Sequence, residues 1–185
     1  MLKWSISELV KYRDQPLHFT TTLDLKKELM ARDPEILDMT SLTVDGYISY
    51  DKGDLLVSVT LGGKLVIPST RSLTPVDWPL DFTFTEIYLL NPADKDKYDD
   101  GQLLIDLEGS ELDLHPAIAD HVLLSIPMQV LTPAEAAGEA MPEGDDWSVV
   151  GEADYEAGKA EQQTANPAFA KLKQLFPEDD DESKK

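Results

Sequence analysis

The sequence predicts an α+β fold: a curved, partly barrel-like antiparallel sheet packed by one main helix, with an acidic, largely disordered C-terminal tail. Three observations predict it. Before Thr132, apolar residues alternate with polar ones along several runs. One later segment, "LDLHPAIADHVLLSIPMQVL", instead repeats its apolar residues every four positions. From Thr132 onward the chain carries 14 acids and 5 bases in 54 residues, against 22 and 11 in the 131 before it, with few apolar anchors. A folded domain is therefore expected over 1–131 and the tail over 132–185.

The elements follow in order. "SISE", Ser5 to Glu8, fits a capping box opening a short helix to about Tyr12. "LHFTTTLDL" alternates Leu17, Phe19, Thr21 and Leu23 as a strand, and "DLKKELMAR" reads as a short helix capped by Asp24. "SLTVDGYISY" is the next strand. In "LLVSVTLGGKLVI" the residues Leu55, Val57, Val59, Leu61, Leu65 and Ile67 share one register, so one face of a long antiparallel strand is apolar. Gly62 and Gly63 in its middle suggest a bend or bulge curling the sheet. "DFTFTEIYLL" and "QLLIDLEG" give two more strands on either side of a polar loop. In the last ordered segment Leu114, Ile118, Val122 and Ile126 line one helical face. Pro116 suits its first turn, Asp113 or His115 its cap, and Pro127 its end. Two islands interrupt the tail: Trp147, Val149 and Val150, and a helix over about 166–176. Asn166 caps that helix, and it presents Phe169, Leu172, Leu175 and Phe176.

Composition narrows the chemistry. The 185 residues include no cysteine, which removes disulfides, thiolate zinc sites and cysteine nucleophiles. This fits a cytoplasmic protein. "MLKWSISELV" has no long apolar run of the kind a secretory signal needs, and no stretch is apolar enough to span a membrane. The formal charge of −20 opposes phosphate backbones and anionic lipid at long range, so basic protein partners are favoured over DNA or membranes. His115 and His121 stand six apart, not at the four-residue spacing of helical metal ligands, and His18 lies on a strand pattern. All three are expected to be surface or capping residues. There is no phosphate loop, no Gly-x-Ser-x-Gly elbow and no calcium-loop spacing. No cofactor or metal is expected. Trp4, Trp78 and Trp147 are read chiefly as packing anchors.

One stretch stands out. In "KLVIPSTRSLTPVDWPLDF" an apolar run breaks at Pro68, turns through Ser69, Thr70, Arg71 and Ser72, and resumes. Between Lys64 and Lys95 the only basic residue is Arg71.

At this turn, and in "LDLHPAIADHVLLSIPMQV", the chain resembles the YceD family, the large ribosomal RNA subunit accumulation proteins, and above all members from Gram-positive bacteria. The likeness runs from "MLKWSISEL" through "VIPSTRSLTPVDWPLDFTFTE" to "GDDWSVV" and "NPAFAKLKQLF". Its strongest block is Leu112, Asp113 and Leu114 with Pro116, Leu123, Leu124, Pro127 and Met128. The resemblance implies a YceD-like domain over 1–131, a cytoplasmic bacterial protein and a role in making or keeping large-subunit rRNA. It implies no enzymatic chemistry. Relatives often carry cysteine before the arginine turn, and some have further cysteines suited to zinc. Here the stretch is Ser69-Thr70-Arg71, so a metal-dependent version of the role has no thiolates to use. Asn166-Pro167-Ala168 stands where relatives often have Asp-Pro-Arg, and a basic contact is lost there.

Two readings of Arg71 stand side by side: a planar donor for phosphate or carboxylate, or a structural arginine paired with an acid such as Asp77. For the whole protein, the expected function is a non-enzymatic ribosome biogenesis factor. It would bind a basic ribosomal protein, an assembly factor or a local rRNA element through Arg71, Lys64, Ser69 and Thr70, with Trp147, Phe169 and Leu172 on the tail. Lys3, Lys11 and Arg13 would assist any rRNA contact. The alternative is a nuclease acting on large-subunit rRNA precursor. Asp113 and Asp120 are its carboxylate candidates, though they stand seven apart and Asp113 reads as a cap.

Overall fold

The alternating runs fold as the centre of a sheet. The computed structural model of the chain describes residues 2–138 and 141–163. Two compact units emerge, Met1–Thr132 and Pro133–Lys185.

The first unit opens with β1 (Lys3–Ser5) and α1 (Ile6–Leu9), extended by a 3-10 turn at Val10–Tyr12. Ser5 Oγ accepts from the Glu8 N–H at 3.2 Å, the expected cap. β2 (Leu17–Leu23) leads to α2 (Lys26–Arg32), where Asp24 Oδ1 accepts from the Lys26 N–H at 3.1 Å. The short β3 (Asp38–Met39) precedes the long strands β4 (Leu42–Asp51), β5 (Asp54–Pro68) and β6 (Pro75–Leu89). A 3-10 segment (Pro92–Lys97) follows, then β7 (Leu104–Asp106), β8 (Glu111–Asp113) and α3 (His115–Leu124).

Strand order in the main sheet is β2-β4-β5-β6-β7, with β3 also on β5. The architecture is mixed α+β, and the sheet stays open. The partly barrel-like closure expected from Gly62-Gly63 does not occur. Pairing of β5 with β6 runs without a bulge through Gly62↔Asp81 and Gly63↔Leu80. The glycines serve another purpose. A Cβ on Gly62 would stand 2.7 Å from Thr43 Oγ1, and one on Gly63 2.7 Å from Leu42 Cδ2. At this point β5 changes partner, from β4 (last pair Thr43↔Gly62) to β3 (Met39↔Leu65). Side chains in place of these glycines would force the Leu42 and Thr43 side chains to shift. β7 is a second departure from an all-antiparallel sheet, because it pairs with β6 in parallel.

The register of β5 decides the core. Leu55, Val57, Val59, Leu61, Leu65 and Ile67 are all buried, together with Leu42, Val44 and Ile48 of β4. Ile118, Ala119 and Val122 of α3 belong to the same cluster, as do Leu114 just before the helix and Leu9, Leu25 and Leu29. Each such side chain is worth about 1.5–3 kcal/mol when withdrawn from water. The Asp113 cap is present, with Oδ1 accepting from the His115 N–H at 3.0 Å. The helix stops at Leu124, before Pro127, and the Ser125 hydroxyl donates to the Val122 carbonyl at 2.7 Å.

The opposite face of the sheet is polar and solvent-facing along its middle rows, and beside β7 it carries a second, smaller apolar cluster of Ile87, Leu89 and Tyr98 with Leu56 and Leu104 packed on it. Cross-strand pairing sets His18, Tyr47, Ser58 and Thr85 in one row, and Thr20, Asp45, Thr60 and Thr83 in the next. Thr60 and Thr83 hydroxyls meet at 2.8 Å, and the Thr20 hydroxyl donates to Asp45 Oδ2 at 2.7 Å.

In the second unit, the described residues form α4 (Pro133–Ala136), a small hairpin of β9 (Glu143–Gly144) and β10 (Trp147–Ser148), and α5 (Glu152–Gln163). The Trp147 indole lies against Gly144, its cross-strand partner. The helix expected over 166–176, with Phe169 and Leu172, lies outside the described residues.

Candidate binding surface

The β5–β6 connection is a turn built by its own hydroxyls. Ser69 is fully buried, and its Oγ accepts from the Arg71 N–H at 3.1 Å and the Ser72 N–H at 3.3 Å. The main chain closes the loop with Ser69 N–H to the Thr74 carbonyl at 2.8 Å and Leu73 N–H to the Ser69 carbonyl at 3.0 Å. Thr70 ties the turn to the segment after α3. Its N–H and its hydroxyl donate to the Val130 carbonyl, at 2.8 and 3.0 Å. Small hydroxyl residues serve here because their oxygens satisfy N–H groups that no strand can reach.

At the tip, Leu73 has φ of 62° and is 73% exposed. A left-handed leucine costs about 1–2 kcal/mol relative to ordinary backbone. Its exposure means that packing does not repay this locally. Arg71 sits beside it, half-buried. Asp77 is engaged with Lys64, whose Nζ donates to Asp77 Oδ2 at 2.8 Å. The bridge is half-exposed on both sides, so it contributes at most about 1 kcal/mol and is open to exchange.

Below the turn lies a cleft of about 160 Å³. Ile67, Pro68, Ile126 and Met128 give it apolar walls, and Asp33 and Glu35 give it an acidic edge. Met128 is wholly exposed. Neither Leu73 nor Met128 was expected from the sequence to contribute to a binding surface. Their only signal was apolar residues inside polar, proline-rich connections.

The expected site residues thus fall as follows. Lys64, Ser69, Thr70 and Arg71 share one end of the β5–β6 hairpin, Ser69 and Thr70 as its scaffold. Trp147 belongs to the second unit and is exposed on its hairpin. Five other cations are paired with acids: Lys3 with Glu111, Lys26 with Asp38, Arg32 with Asp120, Lys95 with Asp106 and Lys97 with Asp94. Arg13 lies over the Tyr50 ring. Hydrogen bonds from Lys26 and from the Met39 N–H hold the Asp38 carboxyl below its ordinary range.

Each histidine meets one carboxylate: His18 with Asp45 at 2.8 Å, His115 with Glu28 at 2.7 Å and His121 with Glu86 at 2.9 Å. They are more engaged than surface or capping residues were expected to be. Glu86 is buried and also accepts from the Tyr88 hydroxyl at 2.6 Å. Among the described residues, no group of three or more His, Cys, Asp or Glu is arranged to hold a metal ion.

Comparison with known proteins adds to this geometry. The family model described as "Large ribosomal RNA subunit accumulation protein YceD" matches residues 57–176, more than half of the chain. The chain belongs to the YceD family. The match takes in most of β5, the Arg71 turn, α3 and most of the second unit. The chain is also similar to the "Uncharacterized protein YlbN" of Bacillus subtilis (strain 168), at 27% identity over 181 residues, covering 97% of this chain and 99% of that protein. No solved structure matches it. Among the described residues, no helix is long and apolar enough to cross a membrane.

Proposed function

We propose that this YceD-family protein acts in ribosome biogenesis as a cytoplasmic docking factor without enzymatic activity, supporting accumulation of large-subunit rRNA by binding a basic ribosomal protein or assembly factor. Family membership over residues 57–176 carries the rRNA role. The mode of action rests on charge and surface. The chain has a formal charge of −20, and six of its 16 lysines and arginines are paired with neighbouring acids, so the described residues offer scattered cations rather than a basic stripe for tracking RNA. The turn end of the β5–β6 hairpin offers what a protein partner can grip: an exposed leucine, an apolar cleft with acidic edges, and the exchangeable Lys64–Asp77 pair.

The test is a pull-down from lysate of the native host with the tagged full-length chain, with and without ribonuclease, alongside large-subunit rRNA levels in a strain lacking the gene. The expected result is reduced large-subunit rRNA and a basic protein partner that survives digestion. Partners lost on digestion, with tight salt-sensitive binding to bare rRNA, would favour direct rRNA contact. Magnesium-dependent cleavage of precursor rRNA, lost in a carboxylate variant, would replace the docking reading with a nuclease.

A further inference from the structure

The outer edge of β6 is an incomplete ladder. The Ile87 N–H donates to the Leu103 carbonyl at 2.9 Å, and the Leu89 carbonyl accepts from the Leu107 N–H at 3.1 Å. Odd-numbered residues of β6 therefore turn their peptide groups away from β5. β7 covers this edge only over Ile87–Leu89. Asp81, Thr83 and Thr85 point N–H and C=O outward, with no partner among the described residues. The open stretch has a defined end, because Pro79 takes the next outward position and has no N–H to offer.

Beside the open stretch, where β7 begins, is a cavity of about 340 Å³ lined by Thr85, Ile87, Gly101, Gln102 and Leu103. Leu103 is 50% exposed. Gln102 and Leu103 also border a larger open hollow of about 620 Å³, whose walls include Asp96, Asp99 and Asp100. An extended chain laid along Asp81–Thr85 would thus find backbone partners, then an apolar step, then carboxylates.

We propose that the Asp81–Thr85 edge of β6 is a docking site for an extended basic segment of a protein partner, which adds to the sheet as a strand and places cationic side chains against Asp96, Asp99 and Asp100. Main-chain hydrogen bonds supply the grip, and the acidic hollow selects a cationic segment. Pro79 caps the length of the added strand. The choice of a protein partner rests on the proposed docking function; the edge geometry does not.

The test uses the full chain and a short synthetic peptide of alternating Lys and Val, with a Glu and Val peptide as its counterpart. The basic peptide is expected to slow amide exchange at Thr83 and Thr85 by about tenfold or more. Thr83→Pro removes an outward N–H as Pro79 already does, and is expected to weaken peptide binding by about tenfold or more. Thr22→Pro, on the outer edge of β2, should leave binding unchanged. The exchange measurement on the unaltered protein stands even if Thr83→Pro fails to fold. No protection on β6, equal binding by Thr83→Pro, or equal binding of the acidic peptide would overturn the proposal. Protection at Thr83 that grows with protein concentration alone would assign the edge to a second copy and overturn it too. Peptide binding does not depend on any rRNA phenotype, so the two readings fail separately.

Discussion

His121 and Glu86 join α3 to β6: the ring Nε2 stands 2.9 Å from Glu86 Oε1, and the imidazole stacks on Phe84 with ring centres 3.8 Å apart. The Tyr88 hydroxyl occupies the other carboxylate oxygen at 2.6 Å. A buried carboxylate is tolerated here because both oxygens have partners.

Removing that carboxylate should therefore cost more than its packing volume suggests. Glu86→Ala leaves His121 and Tyr88 facing a cavity without an acceptor, and the expected loss is about 3 kcal/mol. Glu86→Gln keeps one acceptor oxygen and should lose less. Urea titration of both variants checks the order, and equal losses would show that shape rather than hydrogen bonding holds α3 in place.

Alkali should act through the same group. Burial first, then the hydrogen bond to Glu86, raises the Tyr88 phenol well above its ordinary pKa of 10.0. Tyr98 is raised for like reasons, burial and its bond to Asp54. A folded-state pKa above the unfolded one means these phenols stabilise the fold fully below about pH 10, and that this stability is lost as pH rises beyond it. Ultraviolet titration should show Tyr88 and Tyr98 ionising only with unfolding. Early ionisation of all tyrosines would contradict the buried network.

Most of the sheet was legible because β5 writes its register into every second residue. Legibility ended where sequence-distant partners decide the outcome. His115 and Glu28 are 87 positions apart, and His121 and Glu86 are 35 apart, so no local pattern announces either pair. Asp77 was a reasonable partner for Arg71 by proximity in the chain. Register instead sets Asp77 opposite Val66, two residues from Lys64, and a diagonal pair forms. Gly62 and Gly63 announced a special backbone position, but not whether it was a bulge or a tight crossing past Leu42 and Thr43. β7 is too short to reveal its direction. Its parallel pairing follows from the crossover through the 3-10 segment at Pro92–Lys97.

Tyr50 should behave opposite to Tyr88. Its hydroxyl is buried without a hydrogen-bond partner among the described residues, and burial raises its pKa. Tyr50→Phe deletes a desolvated donor while keeping the ring beneath Arg13, so the protein is expected to gain about 1 kcal/mol. Thermal or urea unfolding measures this directly. A clear loss would mean the hydroxyl has a bound water as partner.

Leu73 gives the most direct link between strain and function. It holds a left-handed conformation at a turn tip and exposes most of its side chain to solvent. Selection for stability alone would place glycine or asparagine here. Leu73→Asn removes the apolar surface while keeping a residue that accepts this backbone, so stability should stay within about 0.5 kcal/mol or rise. Capture of a protein partner should fall if the tip is part of the docking surface. Ser69→Ala, by contrast, strips the buried oxygen that holds the Arg71 and Ser72 N–H groups and should cost about 1–3 kcal/mol. Comparing the two by urea unfolding and by pull-down separates display from scaffold: a stable Leu73→Asn with undiminished partner capture would remove the tip from the binding surface.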